Sequence, residues 1–477
     1  MELTPLYTAL FQKSLDESYV PTQWRTANVT PIFKKGEKYD PANYRPVSLT
    51  SVTCKVLEHI IAKLIMNHLE TNNLLTNAQH GFRTMRSCET QIMNFTQELI
   101  KGFKDGKQYD VNIMDFSKAF DRVPHERLLH KAQHLGIKGP INNWLRSFLD
   151  HRQQQVLVDG EASDPVDVVS GVPQGTVLGP VLFLIFINDL PSAITSPCKL
   201  FADDLIVYKE IKTPADQRQL QEDMDLLAAW ERTWGMQFHP DKCETVTFTR
   251  KRTKVLHTTY HLNQHPLKKA KTSKYLGVTM TNILDWSPHI DNSIKKASRT
   301  LGFLRRNLRD APADTREMAY KTMVRPQVEY CSAAWDPYTL KNIKNVEMVQ
   351  RRAARFVLRR YHNTSSVSNM INQLGWESLE ARRAKMRVTL LYKAIHHLIV
   401  LDTLSYLVPL TINTRQHLYH KLSFVHISSN SNYHKYSFFP RTVPLWNSLP
   451  ASVAEAPTLD RFKVGLAGFT IPPTTFV

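Results

Sequence analysis

The sequence predicts an α/β chain whose second half is all helical and basic. Three observations lead there. Two apolar runs, near 111–116 and 199–209, carry aspartate where a strand would end or turn. Around and between them, apolar residues recur with a helical period. From about residue 286 the pattern is helical throughout and dense in Lys and Arg.

In chain order, Thr30 to Phe33 reads as a short strand and Lys34 to Lys38 as a polar turn. Ser51 to Glu70 has Val52, Val56, Leu57, Ile60, Ile61, Leu64 and Ile65 at helical spacing. Gly81-Phe82-Arg83 is a loop feeding a helix over 89–103. Val111, Ile113 and Asp115 alternate with Asn112, Met114 and Phe116, a strand finishing on a carboxylate. Pro124 opens the next helix and Gly136 suits its end. Gln153 to Val158 and Pro165 to Val169 flank Asp159-Gly160 as a hairpin. SGVPQG, 170–175, is a Gly/Pro loop before a buried helix over 177–190. Lys199 to Phe201 and Leu205 to Lys209 form a second hairpin with acid at its tip. A helix follows over 220–234, then strands at 245–249 and 275–279.

Composition narrows the partners. The 477 residues carry 61 Lys+Arg against 43 Asp+Glu, a formal charge of +18. An excess of that size favours a polyanion, nucleic acid before membrane. Hydrophobic residues at 42% fit a folded chain. Cys54, Cys88, Cys198, Cys243 and Cys331 are scattered singly. No CxxC pair exists, which excludes a zinc knuckle or ribbon and argues against a disulfide framework. No secretory signal opens the chain, and its longest apolar run, 177–187, is too short to span a bilayer. The expected setting is nucleus or cytoplasm, not secreted, with no membrane partner. TRKRTK at 249–254 is a short basic run compatible with nuclear entry.

Asp115, Asp203 and Asp204 at adjacent strand ends would form a compact anionic cluster. Like charges at short range raise one another's pKa. Hard divalent cations relieve that repulsion through oxygen ligands, and two ions can drive an in-line phosphoryl transfer. The competing reading of Asp203-Asp204 alone is a plain acidic turn. Phe120, five residues past Asp115, is placed to exclude a sugar 2′-hydroxyl sterically, or is simply a core ring. Gln174 in the SGVPQG loop can hydrogen-bond a base or sugar. Lys34, Lys35 and Arg45 can reach a triphosphate. The segments holding Lys295, Lys296 and Arg299, and Arg351, Arg352 and Arg355, read as backbone-tracking surfaces, with Phe303 and Phe356 as nearby aromatics.

Taken together these motifs resemble the reverse transcriptases of non-LTR (LINE-type) retrotransposons, particularly jockey-like elements. WRTANVTPIFKK (24–35), NYRPVSLTS (43–51), KVLEHII (55–61) and QHGFR (79–83) look like finger motifs. DFSKAFDRVPH (115–125), SGVPQGTVLGP (170–180), FADD (201–204), MQFHPDKC (236–243) and KYLG (274–277) look like successive palm motifs. RRAARFV, LGWESLEARR and FPRTVPLWNSLP look like the tail of such elements.

The resemblance implies a right-hand polymerase, with an α+β palm and a mostly helical C-terminal region. Expected divisions are fingers 1–105, palm 106–285, basic helical thumb 286–365, and a region of unknown role at 366–477. The reverse transcriptase domain as a whole would cover about 15–285. It implies Asp115, Asp203 and Asp204 as catalytic residues holding two Mg²⁺, with Mn²⁺ as an alternative and the Phe116 carbonyl as a further ligand. Phe120 becomes the sugar gate and Gln174 a nucleotide contact. Lys35, Arg45 and Lys242 become triphosphate contacts, Lys242 as proton donor to leaving pyrophosphate. Arg83, Tyr275, Leu276, Gly277 and the basic helices become nucleic-acid contacts. Partners would be an RNA template, a DNA primer and deoxynucleoside triphosphates. Such elements carry an endonuclease ahead of the polymerase. Met1 lies almost at the first finger motif, so that activity is expected from elsewhere. The alternative is a catalytically silent nucleic-acid-binding remnant.

Overall fold

The computed structural model describes residues 2–410 and 420–471; Met1, and 411–419 and 472–477 of the region expected at 366–477, lie outside the described residues. The chain divides into two compact units, each assembled from separated segments. The first comprises Met1–Arg83, Val111–Thr245 and Leu256–Lys269. The second comprises Thr84–Asp110, Val246–Val255 and Ala270–Val477.

The first unit holds the acidic strand ends. Gln108–Met114, whose residues from Val111 onward belong here, runs next to Asp204–Glu210 in the sheet. Cys198–Phe201 completes that side as the antiparallel partner of Asp204–Glu210, with Phe201 opposite Asp204. On the other side lies the start of Glu244–Thr249, where Thr245 Oγ1 donates to Asn112 Oδ1 at 2.7 Å. Both central strands are buried on both faces along most of their length, as strands enclosed in a sheet interior are.

A second sheet joins Thr26–Phe33 to Tyr44–Leu49 antiparallel and to Arg152–Val158 parallel. Val166–Val168 closes the expected hairpin on Arg152–Val158. The parallel pairing of Thr26 with Gln153 crosses more than a hundred residues, and no local pattern announces it.

Helices form where the period predicts them. Val52–Thr71 begins at Ser51, whose Oγ accepts from Cys54 N at 3.5 Å. It turns Leu57, Ile61, Ile65 and Leu69 inward. Leu178–Ile187 is apolar all round and almost wholly buried. Its amino end is held by Glu58, a buried carboxylate that accepts from Val177 N at 2.7 Å and Leu178 N at 3.0 Å. The helix Pro140–Leu149, not among the elements expected above, buries Trp144, Leu145, Phe148 and Leu149 in the same core.

The second unit is mainly helical, as the basic half of the sequence predicts. Cys88–Lys104 starts with a reciprocal capping box between Ser87 and Thr90. Ser287–Asn307 packs against Leu340–Leu358, and Leu379–Ile395 against Phe438–Asn447 and Leu459–Gly468. The single strand expected at 275–279 is corrected. Thr272–Tyr275 and Val278–Thr281 form an antiparallel hairpin across Leu276-Gly277. Both turn residues have positive φ, 46° and 84°, as a two-residue hairpin turn requires. Among the described residues no helix is long and apolar enough to cross a membrane.

Candidate active site

Asp115 directly follows the strand Gln108–Met114, and its backbone is pinned on both sides. Its carbonyl accepts from His239 N at 2.8 Å, and Ser117 N donates to Gln237 O at 2.8 Å. These bonds flank the bridge between Phe116 and Phe238, whose rings stack with centroids 4.2 Å apart. They use the carbonyls of Asp115 and Gln237, not that of Phe116. Beneath Asp115 lies the buried Cys243, whose Sγ accepts from Asp115 N at 3.4 Å. Burial pushes that thiol up to about 11, so it serves as neutral packing.

Asp203 and Asp204 sit at the tip of the neighbouring hairpin. The tip is tight because Ala202 takes a left-handed conformation, φ 54°. Desolvation raises the Asp203 carboxyl above the usual range, and repulsion from Asp115 adds to it. Asp204 is pushed up to about 6 by desolvation first, then by the charges of Asp203 and Asp115. The three predicted acids therefore share one corner of one unit and feel one another's charge. Lys34 pulls both Asp203 and Asp204 back down, and Arg45 does so for Asp203. Lys34, adjacent to the expected Lys35, supplies that charge. Lys242 Nζ stands 3.5 Å from Asp115 Oδ2.

The donor set suits a hard divalent cation: carboxylates only, mutually repelling, with two of them held above their ordinary pKa. Among the described residues no three acidic, His or Cys side chains already converge closely enough to share one ion. Asp115 is instead engaged with Lys242.

Phe120, the SGVPQG loop and the residues that tie them together form a second layer. The Phe120 ring stacks on Phe183 of the buried helix at 4.5 Å, which fixes its plane. The SGVPQG loop is bolted to the segment carrying Phe120. Val172 N donates to Phe120 O at 2.7 Å and Gly171 N to Val123 O at 2.8 Å. Gly171, φ 91°, lies so close to Asp121 that a Cβ would come within 2.7 Å of its carbonyl oxygen. Gln174 donates from Nε2 to Asp121 Oδ1 at 3.0 Å. Asp121 itself is raised by burial, with the Gln174 bond opposing. Ser48 N donates to Gln174 O at 2.7 Å, tying the loop to the strand that carries Arg45.

Other expected residues lie elsewhere. Arg83 is not a free cation: it forms a bidentate pair with Glu70, 2.9 and 2.6 Å, and donates to Thr76 O at 2.7 Å. Tyr275 is 2% exposed and its hydroxyl is held by Gln91. Its ring anchors the hairpin, whose turn is held by the Tyr330 hydroxyl donating to Leu276 O at 3.0 Å. Lys295, Lys296 and Arg299 are exposed on one helix, and Arg352 on another, with Arg351 and Arg355 half-buried. Phe303 is exposed, but Phe356 is 3% exposed and belongs to the core.

One residue of this corner escaped the sequence reading of the site. Gln79, 2% exposed, grips the hairpin that carries Asp203 and Asp204. Its Oε1 accepts from Ala202 N at 2.9 Å and Gly81 N at 2.7 Å, and its Nε2 donates to Ala202 O at 3.4 Å. The QHGFR motif was visible, but nothing in the local pattern links it to a turn over a hundred residues away.

A family described as "Reverse transcriptase (RNA-dependent DNA polymerase)" matches residues 32–280, just over half of the chain. The "Probable RNA-directed DNA polymerase from transposon BS" of Drosophila melanogaster is 30% identical over 366 residues, 74% of this chain and 40% of that protein. The "RNA-directed DNA polymerase from mobile element jockey" of the same organism is 32% identical over 305 residues, 61% of this chain and 32% of that protein. The chain thus spans about a third to two-fifths of these relatives' lengths. Among solved structures, apo telomerase from Candida tropicalis aligns with a TM-score of 0.45 and 13% identity, over 83% of this chain and 66% of that one.

Proposed function

Because the chain belongs to the reverse transcriptase (RNA-dependent DNA polymerase) family, and its curated relatives are jockey-like non-LTR elements, we propose that it copies RNA into DNA. The reaction joins a primer 3′-hydroxyl to the α-phosphorus of a deoxynucleoside triphosphate and expels pyrophosphate. The observation that carries this reading is the acidic corner, where Asp203 and Asp204 are raised by burial and by Asp115 on the adjoining strand.

Asp115, Asp203, Asp204 and the Phe116 carbonyl would hold two divalent cations, Mg²⁺ or Mn²⁺. When bound, these would activate the attacking hydroxyl and stabilise the leaving oxygen. Lys34, Lys35 and Arg45 hold the triphosphate. Lys242 stands beside Asp115, placed to deliver a proton to departing pyrophosphate. Phe120, its ring braced on Phe183, excludes the 2′-hydroxyl, and Gln174 contacts the nucleotide. The expected divisions at 1–105, 106–285, 286–365 and 366–477 are functional ones, with the basic helices tracking template and primer. Residence in the nucleus or cytoplasm belongs to the same proposal.

Primer extension on poly(rA)/oligo(dT) with Mg²⁺ tests the reading. Wild type should incorporate dTTP, and Asp203→Asn should lose at least about a thousandfold in rate, the scale of a lost metal ligand at the reacting centre. Equal incorporation by the two proteins would refute the assigned chemistry. Salt-sensitive RNA binding with no incorporation would favour the silent remnant.

A further inference from the structure

We infer that Gln79 is a positioning residue for the catalytic turn, setting how firmly Asp203 and Asp204 hold divalent cations. The inference rests on the polymerase reading but on different observations.

The turn that presents the two acids is strained at Ala202. Its φ is 54°, in the left-handed region that a residue with a Cβ disfavours. The same turn brings two mutually repelling carboxylates together. Left alone, such a turn would relax to a conformation that separates the acids. Something must over-determine it.

Gln79 does so from outside the hairpin. Its side-chain amide reads both backbone groups of Ala202, accepting from the N–H at 2.9 Å and donating to the carbonyl at 3.4 Å. An amide that matches both ends of one peptide residue fixes that residue's orientation as a neighbouring strand would. The backbone around Gln79 reinforces it. His80 N donates to Leu200 O at 2.8 Å, and Leu200 N donates to Ala78 O at 2.9 Å, so 78–80 runs parallel beside the strand leading to the turn. Gly81 completes the contact: a Cβ there would fall 2.4 Å from Ala202 N. The amide is buried, so water cannot replace it when it is removed. Gln79 acts through the turn, by its bonds to Ala202 and Gly81.

The test is a two-by-two set, Gln79→Leu with and without Ala202→Gly. Glycine removes the left-handed penalty, so the turn depends less on the clamp. Two readouts are used: kcat and half-saturating Mg²⁺ in primer extension, and the Mn²⁺-induced shift of the thermal unfolding midpoint. With Ala202 intact, Gln79→Leu should lower kcat by about thirtyfold, raise half-saturating Mg²⁺ and shrink the Mn²⁺ shift, with KM for dTTP changed less than about twofold. In the Ala202→Gly background the same substitution should cost about fivefold less. A loss of equal size in both backgrounds, or a lowered unfolding midpoint with unchanged Mg²⁺ and Mn²⁺ responses, overturns the inference. If Gln79→Leu does not fold, Gly81→Ala perturbs the same contact from the other side and must raise half-saturating Mg²⁺. If wild type incorporates nothing, the polymerase reading falls, and the Mn²⁺ shift still decides the role of Gln79.

Discussion

Two clusters of charge, one in each unit, solve opposite problems. In the second unit Asp336 is enclosed by Arg383, Arg387 and Arg441. Arg383 Nε lies 2.6 Å from Asp336 Oδ1, and Arg441 also caps the Asp336 and Pro337 carbonyls at 2.8 and 3.1 Å. Burial pulls the arginines down, Arg383 and Arg441 to about 10, yet these two stay cationic and opposed by acid. In the first unit three carboxylates crowd one corner, and among the described residues no opposite charge is buried between them. Cations approach only from the rim, through Lys34, Arg45 and Lys242. One acid among three cations leaves the second unit's cluster with an excess of positive charge. Three acids give the first unit's corner an excess of negative charge, answered in part by Lys34, Arg45 and Lys242, and the backbone around them is heavily hydrogen-bonded.

The sharpest way to break that comparison is to remove one acid from each cluster. Asp336→Ala leaves Arg383, Arg387 and Arg441 around an empty centre. It should cost about 3–5 kcal/mol, seen as loss of the second unit's cooperative unfolding in denaturant titration. Asp203→Asn removes a repelling charge from a cluster that wants fewer. It should leave metal-free stability unchanged or slightly higher while removing activity. If Asp203→Asn destabilised as much as Asp336→Ala, the two clusters would be alike, and the acidic corner would be a structural element.

Titration gives a smaller effect with opposite signs for stability and activity. The folded pKa of Asp204, about 6, lies above its ordinary value of 3.8. The folded chain therefore binds a proton between these values that the unfolded chain releases. Its stabilising contribution is complete below the lower value and is lost as pH rises through the upper one. Without metal, the unfolding midpoint of the first unit should fall by about a degree or two from about pH 4 to about pH 7 through this group. The effect is small because the Asp204 side chain, though partly desolvated at the hairpin tip, stays open to solvent on one side, which screens it. Incorporation should run the other way, falling below about pH 6 at low Mg²⁺. Raising Mg²⁺ should move that limb to lower pH, because the cation competes with the proton. A limb that ignores Mg²⁺ would separate the titration from the acids.

What the sequence revealed follows the range of each interaction. Asp115 and the FADD tip were legible because alternation and a strand end are local. So were the 52–71 helix and the SGVPQG loop. The parallel pairing of 26–29 with 153–156 was not, since strand partners far apart leave no local trace. Glu58, Asp121 and Cys243 had no signal of their own, because each acts on backbone or amide groups distant in sequence. Pro140–Leu149 did have one: Pro140 at its first position and Ile141, Trp144, Leu145 and Phe148 at helical spacing. Tyr275 was expected at the nucleic acid only through the likeness of KYLG to a palm motif, and a motif match carries no information on burial.

The basic helices of the second unit offer the mildest contrast. Lys295, Lys296 and Arg299 are exposed, and among the described residues no acid is held against them, unlike the buried arginines around Asp336. Charges free in this way bind phosphates by releasing counterions. Replacing Lys296 with Gln should weaken duplex binding severalfold at low salt and reduce the slope of log K against log salt by about 1. Stability should be unchanged, as expected for an exposed side chain on a helix surface. The same substitution at Arg383 should unfold before it alters any salt slope. A Lys296 variant with an unchanged slope would remove this helix from the proposed nucleic-acid surface and leave the acidic corner untouched.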